Sequence, residues 1–125
     1  MMVKYYEIIP CSKPRMTKRD KWKKRPVVLK YFAFRDECRL KGVQVPEAGA
    51  HVIFHVPMPL SWTKKKRNDL FMKPHRQKPD IDNLVKGLLD AVYDDDSTVH
   101  DIRASKVWSK LGGISVATGG NADEL

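Results

Sequence analysis

KPDIDNLVKGLLDAVYDDDSTV, residues 78–99, is the stretch on which the fold turns. Ile81, Leu84, Val85, Leu88, Leu89 and Val92 recur at helical spacing and form one apolar stripe. Pro79 holds the residues before it extended and Asp80 is placed to cap the first turn. The pattern therefore predicts a helix beginning at Asp80 to Asp82 and ending near Tyr93. On the opposite side Asp82, Lys86 and Asp90 follow at i+4 spacing, a row pointing away from the core. For stability alone that row is a surface ion-pair ladder, worth about 0.3 to 0.5 kcal/mol per pair. Asp80 and Asp82 likewise suit a helix N-terminus. Asp94, Asp95 and Asp96 do not suit the other end, where the helix dipole and their mutual repulsion disfavour acids.

Charge is segregated in the same way. The 125 residues carry a formal net charge of +9, yet residues 1–79 hold 20 Lys or Arg against 6 acids, and residues 80–101 hold 7 Asp against Lys86 alone. A solubility surface mixes its signs. A positive body around a compact acidic centre fits a protein that attracts phosphates and holds a divalent ion among carboxylates. Oxygen-only ligands select Mg²⁺, with Mn²⁺ as the alternative, over zinc.

The run Lys78-Pro79-Asp80-Ile81-Asp82-Asn83-Leu84, then Lys86, Asp90 and Asp95-Asp96-Ser97-Thr98-Val99, closely resembles the signature of the RusA family, the Holliday junction resolvases of bacteria and bacteriophages. KPRMTKRDKWKKRP at residues 13–26 and PLSWTKKK at residues 59–66 resemble phage-type members, so the likeness spans most of residues 5–117. An Asp-x-Asp pair is common; the whole pattern at this spacing is specific. The resemblance implies a homodimeric, Mg²⁺-dependent endonuclease that cuts four-way DNA junctions by paired, symmetric incisions. Residue by residue, it puts the metal-binding carboxylates on Asp80, Asp82 and Asp96, with Asp95 as the neighbouring alternative, and the essential lysine on Lys86. Two departures stand out: Thr98 replaces a frequent Gln, and the link from helix to acidic pair is shorter than in some members. The extra Asp94 adds a third candidate to that pair. A nuclease acting on forks, flaps or RNA fits the same charge pattern. A non-catalytic DNA-binding module fits the positive charge but leaves three consecutive aspartates unexplained.

The rest of the chain reads as one α/β or α+β domain over residues 1–118, a mixed sheet covered by helices, followed by a frayed tail at 119–125. Val3 to Ile9 alternates as a first strand closed by Pro10. Ser12 to Arg25 is a basic loop; beside an acidic centre it reads as a phosphate-binding arm in which Trp22 stacks on an unpaired base. Its DNA-binding candidates are Lys13, Arg15, Lys18, Arg19, Lys23, Lys24 and Arg25. Val27 to Lys41 reads as a helix stopped by Gly42, with Tyr31, Phe34 and Cys38 facing inward. Ala50 to Val56 alternates as a half-buried strand, with His51 and His55 on one face but too far apart for a metal pair to be the preferred reading.

Ser61 is placed to cap a short helix carrying Lys64, Lys65, Lys66 and Arg67, while Trp62 either anchors to the core or reaches the junction. Met72 to Lys78 adds Lys73, Arg76 and Lys78 to the DNA-binding candidates and is long enough to be expected mobile without DNA. Ala104 to Lys110 and Ile114 to Thr118 flank Gly112-Gly113 and predict a β-hairpin. Cys11 and Cys38 read as reduced, partly buried thiols. No apolar run reaches membrane-spanning length and no signal peptide is recognisable, so a cytosolic protein without a membrane partner is expected.

One geometric constraint follows. A helix from Asp82 to Val92 is roughly 15 Å long, so Asp96 meets Asp80 and Asp82 in one of two ways. Either the connector from Tyr93 doubles back tightly, or a partner subunit supplies Asp96 across a two-fold axis.

Overall fold

The computed structural model describes residues 2–21 and 25–119. Trp22, Lys23 and Lys24 of the basic arm, and all but Gly119 of the tail, lie outside the described residues. The elements are β1 (Met2–Tyr6), a single 3-10 turn (Lys18–Lys21), α1 (Pro26–Leu40), β2 (Ala50–Pro57), α2 (Lys64–Leu70), α3 (Ile81–Val92), β3 (Ile102–Ser109) and β4 (Gly113–Thr118). They form an α+β domain on a mixed sheet ordered β1-β4-β2-β3, in which β2 runs parallel to β3 and antiparallel to β4. No helix among the described residues is long and apolar enough to cross a membrane.

The sheet order overturns the predicted hairpin. β3 and β4 are consecutive in the chain but do not pair; β2 lies between them, and residues 110–112 carry the chain across its C-terminal end. The reason is burial. Val52 and Phe54 of β2 and Ile114 and Val116 of β4 are buried, and these two strands take the interior positions, with β1 and β3 at the edges. The two glycines serve close packing: Ile9 presses on Gly112, and the Tyr5 ring lies over Gly113 and meets His55 edge-on at 5.5 Å. β1 is also shorter than predicted, because Ile8 leaves the strand direction and enters the core, where it is 1% exposed.

Helices α1 and α3 cover one face of the sheet. Tyr31, Phe34 and Cys38 from α1 meet Leu84, Leu88 and Ala91 from α3 over Val52, Phe54, Ile114 and Val116, as the apolar periodicities require. Across the helix pair Tyr31 Oη donates to the Gly87 carbonyl at 2.8 Å, and Arg39 Nε to the Ala91 carbonyl at 3.1 Å. Pro26 starts α1, and Gly42 follows its end at φ 67°, a left-handed conformation that only glycine adopts without strain. Cys38 is buried and Cys11 half-buried, both as free thiols; burial pushes the Cys38 thiol up to about 12.

The segment expected to be a mobile connection is pinned. Met72 N–H donates to the Trp108 carbonyl, Trp108 N–H to the Lys73 carbonyl and His75 N–H to the Lys106 carbonyl, at 2.8 to 3.0 Å, so residues 72–75 cover the outer edge of β3. Trp108 is the anchor, with Trp62 at 4.7 Å on one side and His75 at 4.2 Å on another. Trp62 therefore packs against the body. That contact fixes the chain before α2, so Thr63 rather than Ser61 occupies the cap and accepts from Lys66 N–H at 3.2 Å.

Candidate active site

The apolar stripe of α3 fixes which way its polar residues face. Once Leu84, Leu88 and Ala91 are buried, Asp82, Asn83 and Lys86 are exposed. Asp80 holds the N-cap position with the extended backbone a cap requires (φ −68°, ψ 145°), but its side chain makes no capping hydrogen bond. The expected cap is thus positional only, and the carboxylate stays uncommitted. Pro79, joined to Lys78 through a cis peptide bond, precedes it. Lys106 of β3 reaches across and donates to the carbonyls of Gln77 and of Pro79, the second at 2.7 Å, so the turn entering Asp80 is held from the sheet.

The ion-pair ladder expected along Asp82, Lys86 and Asp90 does not form. Asp90 pairs with Lys13, Nζ to Oδ2 at 2.5 Å, and neither Asp82 nor Lys86 has a side-chain hydrogen bond or ion pair among the described residues. At the far end Tyr93 turns to extended backbone, and its hydroxyl donates to the Val45 carbonyl, which ties down the start of the connector. Asp95 accepts from Ser97 N–H at 2.9 Å, a bond that holds its carboxyl below the ordinary value. Asp101 accepts from Gly49 N–H at 3.1 Å. Asp80, Asp82, Asp94 and Asp96 remain without side-chain partners among the described residues.

These acids sit at opposite ends of α3, whose 12 residues run about 18 Å. Among the described residues, no group of three His, Cys, Asp or Glu side chains lies close enough to hold a metal ion. The donor chemistry of Asp80, Asp82 and Asp96 suits a hard divalent cation, because their carboxylate oxygens are not engaged by protein donors. His51 and His55 are not such ligands: each is bonded to a serine, Ser105 at 2.9 Å and Ser115 at 2.7 Å.

The basic candidates divide into two groups. Arg25 is structural in this chain: with Thr17 it surrounds the buried Asp20, whose carboxyl is held well below the usual range by the guanidinium, and it also reaches the Arg15 carbonyl. Lys13 is engaged by Asp90, Arg67 by the Pro59 carbonyl at 3.0 Å, and Lys66 lies over the Trp62 ring at 4.2 Å. Arg15, Lys18, Arg19, Lys64, Lys65, Lys73, Arg76 and Lys78 are exposed and unpaired among the described residues. Lys23 and Lys24 lie outside them.

The family model for endodeoxyribonuclease RusA matches residues 7–118. The chain belongs to the RusA family. This RusA-family chain is thus an endodeoxyribonuclease, a hydrolase of DNA phosphodiesters. It is 35% identical over 101 residues to the uncharacterized protein YqaN of Bacillus subtilis strain 168, covering 74% of this chain and 68% of the relative. No solved structure gives a significant match.

Two residues escaped the sequence reading. Lys106 shares its side of β3 with Ala104 and Trp108, opposite Phe54, and a lysine at an inward strand position was the available signal. Gly87 is the other, a glycine inside a strongly periodic helix, where it is normally disfavoured.

Proposed function

We propose that the chain is a homodimeric, Mg²⁺-dependent resolvase of four-way DNA junctions, cutting by paired symmetric phosphodiester hydrolysis in DNA recombination and repair. One observation carries the reading. Asp20, Asp90, Asp95 and Asp101 are each engaged by a protein donor, whereas Asp80, Asp82, Asp94 and Asp96 are left unengaged among the described residues, and Lys86, one turn from Asp82, is unpaired. Carboxylates that satisfy no protein neighbour are suited to a ligand.

Asp80 and Asp82 of one subunit and Asp96 of its partner would hold the ion, an arrangement favoured by the distance between the two ends of α3. When bound, a divalent ion supplies Lewis-acid stabilisation of the charge that develops during phosphodiester hydrolysis. Lys86, one turn from Asp82, offsets charge on the scissile phosphate or orients the attacking water. The exposed cations of the basic arm, of α2 and of residues 73–78 bind the flanking backbone. Since no residue is placed as a covalent nucleophile, water attacks phosphorus directly.

The test compares four-way junction, fork, flap, linear duplex and RNA at one salt concentration; preference for fork, flap or RNA refutes junction specificity. Asp82→Asn abolishes cutting and keeps junction binding, and Mg²⁺-dependent cutting by that variant refutes the site. Mixing Asp82→Asn chains with Asp96→Asn chains regains cutting in the heterodimer. No recovery there refutes supply of Asp96 by the partner.

A further inference from the structure

Lys86 lies one helical turn from Asp82 and one from Asp90, and side chains four apart on a helix are neighbours. Asp90 is nevertheless not available to it. Lys13 occupies Asp90 at 2.5 Å, with the two side chains only 28% and 26% exposed. The approach is built into the backbone. The segment carrying Lys13 crosses α3 at Gly87, where an added Cβ would stand 2.8 Å from the Cys11 carbonyl oxygen and 3.1 Å from Lys13 N. Lys13 N–H also donates to the Asn83 carbonyl at 3.4 Å. A bulkier residue at position 87 would push this crossing away from the helix.

Resting on the reading that Lys86 serves the scissile phosphate, we infer that Lys13 is a positioning residue that neutralises Asp90, so that Lys86 stays unpaired and no uncompensated carboxylate faces the DNA. Without Lys13, Asp90 becomes the i+4 partner of Lys86 and adds a negative charge one turn from it. Both effects oppose the approach of phosphate. The inference separates Lys13 from the exposed cations of the arm: its contribution passes through Asp90, not through a phosphate of its own.

The experiment is a double-mutant cycle in single-turnover cleavage of a four-way junction. Lys13→Ala lowers the rate about tenfold, the size expected of one unneutralised charge in a partly screened site. Asp90→Ala stays within threefold of wild type, and Lys13→Ala/Asp90→Ala recovers to the rate of Asp90→Ala. Junction affinity changes less than twofold for Lys13→Ala when it is measured in the non-cutting Asp82→Asn background. Lys13→Met, which keeps most of the aliphatic stem and removes the charge, replaces the alanine variant if that one melts early.

A double mutant as slow as Lys13→Ala overturns the inference, as does an affinity loss with one fewer ion in the salt dependence, because both mean direct phosphate contact. Lys86→Ala separates the two levels of the argument. Full activity of that variant removes the underlying site reading, whereas its inactivity with no rescue in the cycle removes only the role of Lys13.

Discussion

Lys106→Met tests whether the sheet holds the entrance to α3. The methionine keeps the stem of the side chain and removes the ammonium that donates to the Gln77 and Pro79 carbonyls. A hydrogen bond from a charged donor contributes about 1.5 to 3 kcal/mol when fully buried. Both carbonyls border solvent and rehydrate once released, so the expected loss for the pair is about 1 to 2 kcal/mol, or roughly 4 to 8 °C in Tm. The functional effect is larger than the stability effect. Asp80 is the next residue after Pro79, and a misplacement of about 1 Å at a reacting group costs on the order of 100-fold, so the cutting rate falls 10- to 100-fold with junction affinity nearly unchanged. An independent readout is His75, whose pKa is lowered by burial first and by Lys106 second. Its NMR titration therefore moves upward in Lys106→Met. Unchanged melting, a cutting rate within twofold of wild type and an unmoved His75 titration would together refute the clamp.

Gly87→Ala adds helix propensity worth about 1 kcal/mol but drives a Cβ against the Cys11 carbonyl at 2.8 Å, an overpacking cost of about 1 to 3 kcal/mol. A net loss of about 1 kcal/mol in urea unfolding is expected, and a stabilised variant means the crossing yields freely. His51, His55 and His75 are all displaced downward chiefly by burial. The folded state therefore prefers them neutral: their contribution to stability is complete above about pH 6.5 and is lost as pH falls toward the lowered native values. Melting at pH 7.5, 6.5 and 5.5 should show that decline, less steeply in His75→Phe, and an identical slope in the variant counts against His75. Cys38, buried and raised to about 12, should resist thiol reagents at pH 8 until the chain unfolds. Its modification in the native state would mean that the α1–α3 interface opens.

Helices with a single buried stripe were readable because their periodicity is a local property. The α3 stripe and the inward set Tyr31, Phe34 and Cys38 appear where the spacing placed them. β2 was readable as a strand, but nothing in its alternation says which strands flank it, and Gly112-Gly113 suggested a hairpin because a turn signal records only that the chain bends. Placing β2 between β3 and β4 depends on competition for the two interior positions. The site divides in the same way. The spacing of Asp80, Asp82 and Lys86 on one helix was legible, whereas Lys13 meeting Asp90 and Lys106 reaching Pro79 are contacts between segments 77 and 27 residues apart. Arg25 resembled its cationic neighbours in every local respect; only the buried Asp20 distinguishes it.

The position of β4 has a consequence for how the molecule comes to exist. Among the described residues β4 is the last strand and the only one bonded to β1, and it joins that strand to β2. On a ribosome, β1 emerges before any strand it pairs with, and it has no place in the sheet until Gly113–Thr118 has been translated. Closing the sheet at β1 therefore waits on the pairing with the longest intervening stretch of chain. A chain truncated ahead of that strand would carry every acidic residue of the proposed site and still lack the support that orients them, so premature termination would release an inert fragment rather than an unregulated nuclease.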